Sequence, residues 1–143
     1  MKFSLYIDPS REEEVVVYAR KKSLLTEKLE QITEEFSNEI IGYTENEITK
    51  LNISDVICFV VENNRIYALT NAKKYLIKQR LYNLEENFSK SFVKINQSCL
   101  ANINKIERFD SSISCTLKVV FKNGYTDYVS RRNVKTIKER LGL

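Results

Sequence analysis

The stretch 92-FVKINQSCLANINKI-106 sets apolar residues between amides, a hydroxyl and a thiol, and it carries three asparagines. It is too polar for an ordinary core strand and too apolar for a solvated loop. Its first four residues predict a short strand, and the final IERF at 106–109 predicts another. The question it raises is what a small protein does with amides held among apolar anchors.

The elements on both sides of this stretch alternate between strand and helix patterns, and strands predominate. Helical spacing occurs at 76–88 and again from Ser130, which can act as an N-cap. Asn123-Gly124 is a strong hairpin signal and predicts a type I′ turn with φ > 0 at both positions. The remaining predicted strands span 39–43, 46–51, 56–61, 66–70, 115–122 and 125–129.

The first 41 residues have a pattern of their own. Alternating apolar residues at 3–7 and the β-branched run at 15–19 each predict a strand. Apolar residues from Leu25 to Phe36 then share one face of a helix that Ser23 can cap. The prediction is a small β-β-α extension, too small to fold alone.

Composition excludes several classes of protein. Histidine is absent from the 143 residues, which removes histidine-based nucleophilic and acid–base catalysis and most transition-metal sites. Cys58, Cys99 and Cys115 are odd in number and widely spaced, so we expect buried thiols rather than disulfides or a zinc site. The acidic residues form no paired constellation. We predict no enzyme, no metal and no cofactor.

Charge and hydropathy indicate the cellular compartment of the protein and the kind of partner that it binds. No apolar run approaches a membrane span, and the N-terminus turns acidic too early for a signal peptide, so we expect a cytoplasmic protein. Residues 1–41 hold six basic and nine acidic side chains, whereas residues 42–143 hold 17 and 10. A net charge of +7 on the larger part favours a polyanionic partner.

Three places carry side chains suited to nucleic acid. Lys and Ser suit phosphate oxygens, Arg suits phosphate or guanine, and Asn and Gln suit adenine. Each place also has a simpler interpretation: a turn, a set of backbone caps, or a solvated helix face. For Gln97 we favour a role in nucleic-acid binding, and for Asn102 we favour the capping of backbone groups. For Asn104 we choose neither interpretation. The three places are the tip 62-ENNR-65, the polar part of the opening stretch, and the final helix 130-SRRNVKTIKER-140.

Five segments in order resemble the LytTR DNA-binding domain, over residues 42–143. The opening stretch is similar to the hallmark of that family, roughly F-x-R-(I/V)-H-R-S-(aromatic or aliphatic)-L-V-N-(L/I)-x-x-I. The 55-DVICFVVENNRIYALT-70 segment resembles D-I-L-Y-I-E-A-E-x-N-Y-V-x-(I/L)-x-T. The other three are the short helix 77-IKQRLYNLEENF-88, the hairpin 119-VVFKNGYTDYVS-130, and 130-SRRNVKTIKERL-141, which is similar to V-S-R-R-Y-x-x-x-L-K-x-x-L.

The chain departs from the family pattern at several hallmark positions. Asn96 and Gln97 stand in place of His and Arg, and Cys99 replaces the residue after the hallmark Ser. Val60 replaces a Glu, and Asn133 replaces the Tyr of SRRY. Because the readout positions themselves differ, the family's base preference is not inherited.

The resemblance implies a fold and a function. The fold is α+β, predominantly β, with elongated antiparallel sheets and short helices at 42–143 behind the 1–41 extension. The function is sequence-specific binding of double-stranded DNA by loops in the major groove, as in bacterial-type transcription regulators. The candidate DNA-binding residues are Asn64, Arg65, Lys94, Asn96, Gln97, Ser98, Arg131, Arg132, Asn133 and Lys135.

The resemblance also bears on partners. Most members carry a receiver domain before the module, whereas 41 residues are too few for one, which implies the small stand-alone subgroup. We expect a homodimer on repeated half-sites, with the extension as a dimerisation or regulatory surface, no small-molecule substrate, and a membrane protein as a possible regulator. The alternative is a protein-interaction module that restrains a partner regulator or membrane protein without binding DNA.

Overall fold

A computed structural model describes residues 2–111 and 117–142, and at residues 34–37 it describes the backbone only. The chain divides into two compact units, Met1–Phe36 and Ser37–Leu143. None of the described helices is long and apolar enough to cross a membrane.

The first unit contains a helix but not the two predicted strands. Helix α1 (Leu24–Ser37) begins after Ser23, whose Oγ accepts from the Thr26 N–H at 3.4 Å while Thr26 Oγ1 accepts from the Ser23 N–H at 2.8 Å. This reciprocal pair confirms the predicted cap. Residues 3–7 and 15–19 are not strands, so that prediction is wrong. A strand needs a neighbour for its hydrogen bonds, and these segments pair with no described residue.

The second unit is built from ten described strands in two antiparallel sheets. The larger sheet has the order β2-β1-β5-β4-β3-β7-β6 and the smaller has the order β10-β9-β8. This confirms the predominantly β, α+β fold. The elements are β1 (Glu39–Tyr43), β2 (Ile48–Asn52), β3 (Cys58–Glu62), β4 (Arg65–Leu69), β5 (Lys74–Ile77), α2 (Leu81–Asn87), β6 (Phe92–Asn96), β7 (Cys99–Asn102), β8 (Ile106–Ser111), β9 (Leu117–Phe121), β10 (Thr126–Val129) and α3 (Arg131–Leu141), with 3₁₀ turns at Ile53–Asp55 and Ile103–Lys105.

The larger sheet buries both of its faces at its centre. Phe59 of β3 belongs to a core cluster that α2 joins through Leu84. Its neighbour Cys58 belongs to a second cluster, which contains Phe121 of the smaller sheet and Ile137 of α3. Because successive side chains of a strand point to opposite faces, a strand between two cores has a continuous apolar sequence. This explains the unbroken run VICFVV at 56–61.

The helix predicted at 76–88 is shorter than its spacing suggested. Ile77 lies in β5, opposite Ile66 of β4, and α2 begins only at Leu81. Over these few residues, the spacing of the apolar side chains fits both a helix and a short alternating strand. Pairing with β4 decided between them, because tertiary hydrogen bonds outweigh weak local preference.

The hairpin at Asn123-Gly124 has a different turn from the one predicted. Gly124 has φ 90°, but Asn123 does not have a positive φ. The Gly124 N–H donates to the Phe121 carbonyl at 2.9 Å, which closes a type I turn whose following glycine takes the left-handed conformation. The strand predicted at 115–122 is β9, and its first two residues, Cys115 among them, lie outside the described residues.

The two 3₁₀ turns begin with asparagines that are used in the same way. Asn52 Oδ1 accepts from the Ser54 N–H and Asn102 Oδ1 accepts from the Asn104 N–H, each at 3.0 Å. Asn102 is only 2% exposed, and its Nδ2 also donates to the buried Val56 carbonyl at 2.8 Å. The inward, structural role predicted for Asn102 is confirmed.

We expect the substitution Asn102→Leu to lower the free energy of unfolding by about 1–3 kcal/mol, because it leaves the buried Val56 carbonyl without a donor. Urea denaturation followed by circular dichroism measures the loss. The matched control Asn52→Ala removes the same kind of cap at an exposed residue and should cost about 0.5–1 kcal/mol. Equal losses in the two variants would show that the bond to Val56 contributes nothing.

Candidate nucleic-acid interface

Two of the three candidate places lie side by side at one end of the larger sheet. Strand β3 runs antiparallel to β7, with Val60 opposite Cys99. Just beyond this pair, the Val61 N–H donates to the Ser98 carbonyl at 2.9 Å. The tip between β3 and β4 therefore lies next to the turn between β6 and β7.

The start of α3 joins the same end of the sheet. The Ser130 N–H donates to the Ile95 carbonyl at 2.8 Å, and Asn96 Nδ2 donates to the Tyr128 carbonyl at 2.8 Å. These bonds tie the chain entering α3 to the last residues of β6. The first turn of the helix, with Arg131 and Arg132, consequently lies beside the β6–β7 turn.

The β3–β4 tip is a two-residue turn made of asparagines. Asn63 and Asn64 have φ values of 51° and 61°, and both are exposed. Asparagine tolerates this left-handed conformation, and two such residues give a type I′ turn that fits the twist of the flanking strands. Arg65 follows and is exposed. The acid beside it, Glu62, accepts from Lys74 Nζ at 2.5 Å, so the carboxylate at the base of the tip is already paired.

The side-chain amide of Asn96 is engaged in hydrogen bonds within the protein. Its Oδ1 accepts from the Ser98 N–H at 2.8 Å, and its Nδ2 donates to Asp127 Oδ1 at 3.1 Å as well as to Tyr128. Any contact of this amide with a base would have to break these bonds. Gln97 and Ser98, by contrast, are exposed, and the Gln97 side chain makes no hydrogen bond to any described residue. Asn96 thus fixes a turn from which Gln97 and Ser98 project.

The cations at the start of α3 form no ion pair with any described residue. Ser130 stands at the N-cap position, but its Oγ accepts from Asn133 Nδ2 at 2.7 Å instead of from a backbone N–H. Arg131, Arg132 and Lys135 are exposed, and no carboxylate of the described residues lies within ion-pair distance of them. Cations at a helix N-terminus oppose the helix dipole. Their placement favours an external anion.

The ten candidate residues divide by exposure. Lys94, Asn96 and Asn133 are half-buried, and the other seven are exposed. Sequence reasoning missed Asp127, which anchors Asn96, and Lys74, which pairs with Glu62 and lies 4.5 Å from the Tyr67 ring centroid. Asp127 is 31 residues from Asn96 in the chain, so no local pattern indicates the contact.

The two cysteines among the described residues are buried behind this site. Cys58 and Cys99 are fully buried, and a hydrogen bond with Cys58, together with burial, raises the pKa of the Cys99 thiol far above its ordinary value. A neutral thiol is a poor nucleophile. Within residues 2–111 and 117–142, no group of three His, Cys, Asp or Glu side chains could hold a metal ion.

Comparison with known proteins agrees with this architecture. The family of the LytTr DNA-binding domain matches residues 46–142. Two proteins of Staphylococcus aureus, from strains NCTC 8325 / PS 47 and MSSA476, are named as uncharacterized HTH-type transcriptional regulators. Each is 32% identical over 146 aligned residues, which cover 100% of this chain and 99% of the relative.

A solved structure shares the fold. It is the LytTr DNA-binding domain of a protein named as a methyl-accepting/DNA response regulator from Bacillus cereus, with a TM-score of 0.70 and 19% identity over 74% of this chain and 98% of that chain. Among the described elements, strands separate every pair of consecutive helices. The candidate interface consists of turns and one helix start, not of two adjacent helices.

We expect Cys58 and Cys99 to resist alkylation in the folded protein, because the raised pKa keeps the Cys99 thiol neutral and burial excludes the reagent. Iodoacetamide labelling between pH 7 and 9, read by mass spectrometry, should leave both unlabelled, whereas labelling in urea should modify both. The substitution Cys115→Ser removes the signal of the third thiol. Native labelling of Cys99 that rises with pH would contradict this expectation.

Proposed function

The chain belongs to the LytTr DNA-binding domain family, and we propose that it regulates transcription by sequence-specific binding of double-stranded DNA. The observation that carries the proposal is the convergence of the β3–β4 tip, the β6–β7 turn and the start of α3 at one end of the larger sheet. These segments are together called the reading surface below. Each is exposed and polar, and two of them carry arginine.

In this proposal, affinity comes from cations on the phosphate backbone. Arg131 and Lys135 lie on α3 without ion-pair partners among the described residues, and Lys94 lies on the neighbouring strand. Phosphate contacts fix the position of a protein on the duplex and release counterions, which makes binding depend on salt. The net charge of +7 on residues 42–143 supports this role.

Specificity in this proposal comes from three exposed side chains that reach base edges in the major groove. Arg65 and Arg132 can bind guanine through two hydrogen bonds, and Gln97 can bind adenine in the same way. Asn96 and Asn133 are half-buried and hydrogen-bonded within the protein, so we assign them the positioning of Gln97 and of the helix start. A turn that is already ordered loses little entropy when it binds.

The first unit supplies a candidate surface for assembly. Phe3, Tyr6, Ile7 and Tyr18 are at least 86% exposed, which is unusual for four large apolar side chains in one short segment. We propose that this segment contacts a second copy of the chain, in a cytoplasmic homodimer on repeated half-sites, or a membrane protein that regulates it.

Selection of bound sequences from a random DNA pool identifies the operator and its half-site spacing.

We expect DNA affinity to fall steeply with salt. If about four to six phosphates are neutralised by each protomer, log K against log[salt] has a slope of roughly −4 to −5. Fluorescence anisotropy on the selected operator, at several salt concentrations, measures the slope. An affinity that does not change with salt would leave the protein-interaction alternative as the better account.

The substitution Arg132→Ala should relax sequence discrimination and cost about 1–3 kcal/mol on the selected operator, with little effect on unrelated DNA. Anisotropy on both DNAs gives the two affinities. The matched control is Arg108→Ala, because the Arg108 guanidinium is already paired with Glu107 and Asp110 in β8. An equal loss on both DNAs would make Arg132 a phosphate contact only.

A further inference from the structure

A polar cleft of about 400 Å³ opens where the two 3₁₀ turns come together. Strand β7 separates it from the reading surface, because β7 begins at Cys99, beside the β6–β7 turn, and ends at Asn102, at the cleft. A volume of this size is within the range of small-molecule sites. The side chains that matter here are those of Asn38, Asn52, Ser91, Asn104 and Lys105.

The walls of the cleft are held by hydrogen bonds between segments that are distant in the chain. The Ile53 N–H donates to the Asn38 carbonyl at 2.7 Å, and the Ile103 N–H donates to the Ser91 carbonyl at 2.8 Å. Asn102 then joins the two turns through its bond to the Val56 carbonyl. The cleft is therefore formed before any ligand arrives.

The chemistry of the lining favours an anion. Among the described residues, amides, hydroxyls, one ammonium group and the side chain of Ile53 line the cleft, and no carboxylate does. The Nδ2 groups of Asn52 and Asn104, the Ser91 hydroxyl and Lys105 Nζ donate to no described residue. Hydrogen bonds from an ammonium group to an oxyanion are about twice as strong as neutral ones.

We propose that this cleft binds a small polar metabolite that carries one phosphate or carboxylate group. Lys105 and the amides of Asn52 and Asn104 bind the oxyanion. The volume exceeds that of a phosphate ion, and the Asn38 amide and the Ser91 hydroxyl contact hydroxyl groups on the remainder of the ligand. The site shares no residue with the reading surface, so this proposal does not depend on DNA binding.

Nuclear magnetic resonance on the full chain, at constant ionic strength, tests the proposal. Inorganic phosphate, acetate, glycerol 3-phosphate and glycerol are the probes, and the side-chain amide signals of Asn52 and Asn104 are the readout. We expect saturable shifts with phosphate or with acetate. Comparison of the two titrations shows which of the two anion types the cleft binds. Glycerol 3-phosphate should bind at least five-fold more tightly than inorganic phosphate. Equal saturation by uncharged glycerol, or shifts confined to the reading surface, would overturn the proposal.

Variants separate a specific cleft from general charge attraction. We expect Lys105→Met to weaken binding of glycerol 3-phosphate at least ten-fold, while the control Lys78→Met, at an exposed lysine over the Tyr43 ring, leaves it unchanged. An equal loss in both would overturn the assignment of Lys105. Asn104→Asp places a carboxylate in the cleft at an exposed position and should abolish the shift of the Asn52 amide signal, which this variant retains, even if the Lys105 variant folds poorly. A persistent shift of the Asn52 signal in Asn104→Asp would also overturn the proposal.

Discussion

The pairing of β7 with β3 and β6 is the constraint on which the second unit depends. All four residues of β7 are buried, and the strand lies between its two neighbours in the larger sheet. Its side chains alternate between the two core clusters, with Leu100 in one and Cys99 and Ala101 in the other. A shift of one residue in this register would exchange the two faces, so the register is strongly specified.

Both ends of this buried strand hold polar structure in place. At one end, the β6–β7 turn is attached to β3 through the Ser98 carbonyl and to β10 through Asn96. At the other end, Asn102 holds the Val56 carbonyl and caps a 3₁₀ turn. The polar residues that made the opening stretch unusual are thus the terminations of an apolar strand, where backbone groups need partners that the strand ladder no longer supplies.

Asparagine serves three different purposes in this protein, because its side chain both donates and accepts and its backbone tolerates the left-handed conformation. Asn102 uses both functions in the core, and Asn96 uses both at the edge of the reading surface. Asn63 and Asn64 are used for their backbone, since they occupy the left-handed conformation that a type I′ turn requires. The residue type alone does not distinguish these purposes; the surroundings do.

The sequence by itself determined the strand-rich class of the second unit, the cap at Ser23 in the first unit, the cap at Asn102 in the second, and the three places at which the candidate residues lie. Alternation, helical spacing and turn residues are local signals, and they were sufficient there. Only the tertiary structure decided the rest. It showed that residues 3–7 and 15–19 pair with no described strand, that Ile77 belongs to β5, and that Asp127 holds Asn96 and leaves Gln97 exposed. A strand, a register and a distant hydrogen bond each need a partner. Local sequence patterns do not identify a partner that lies far along the chain.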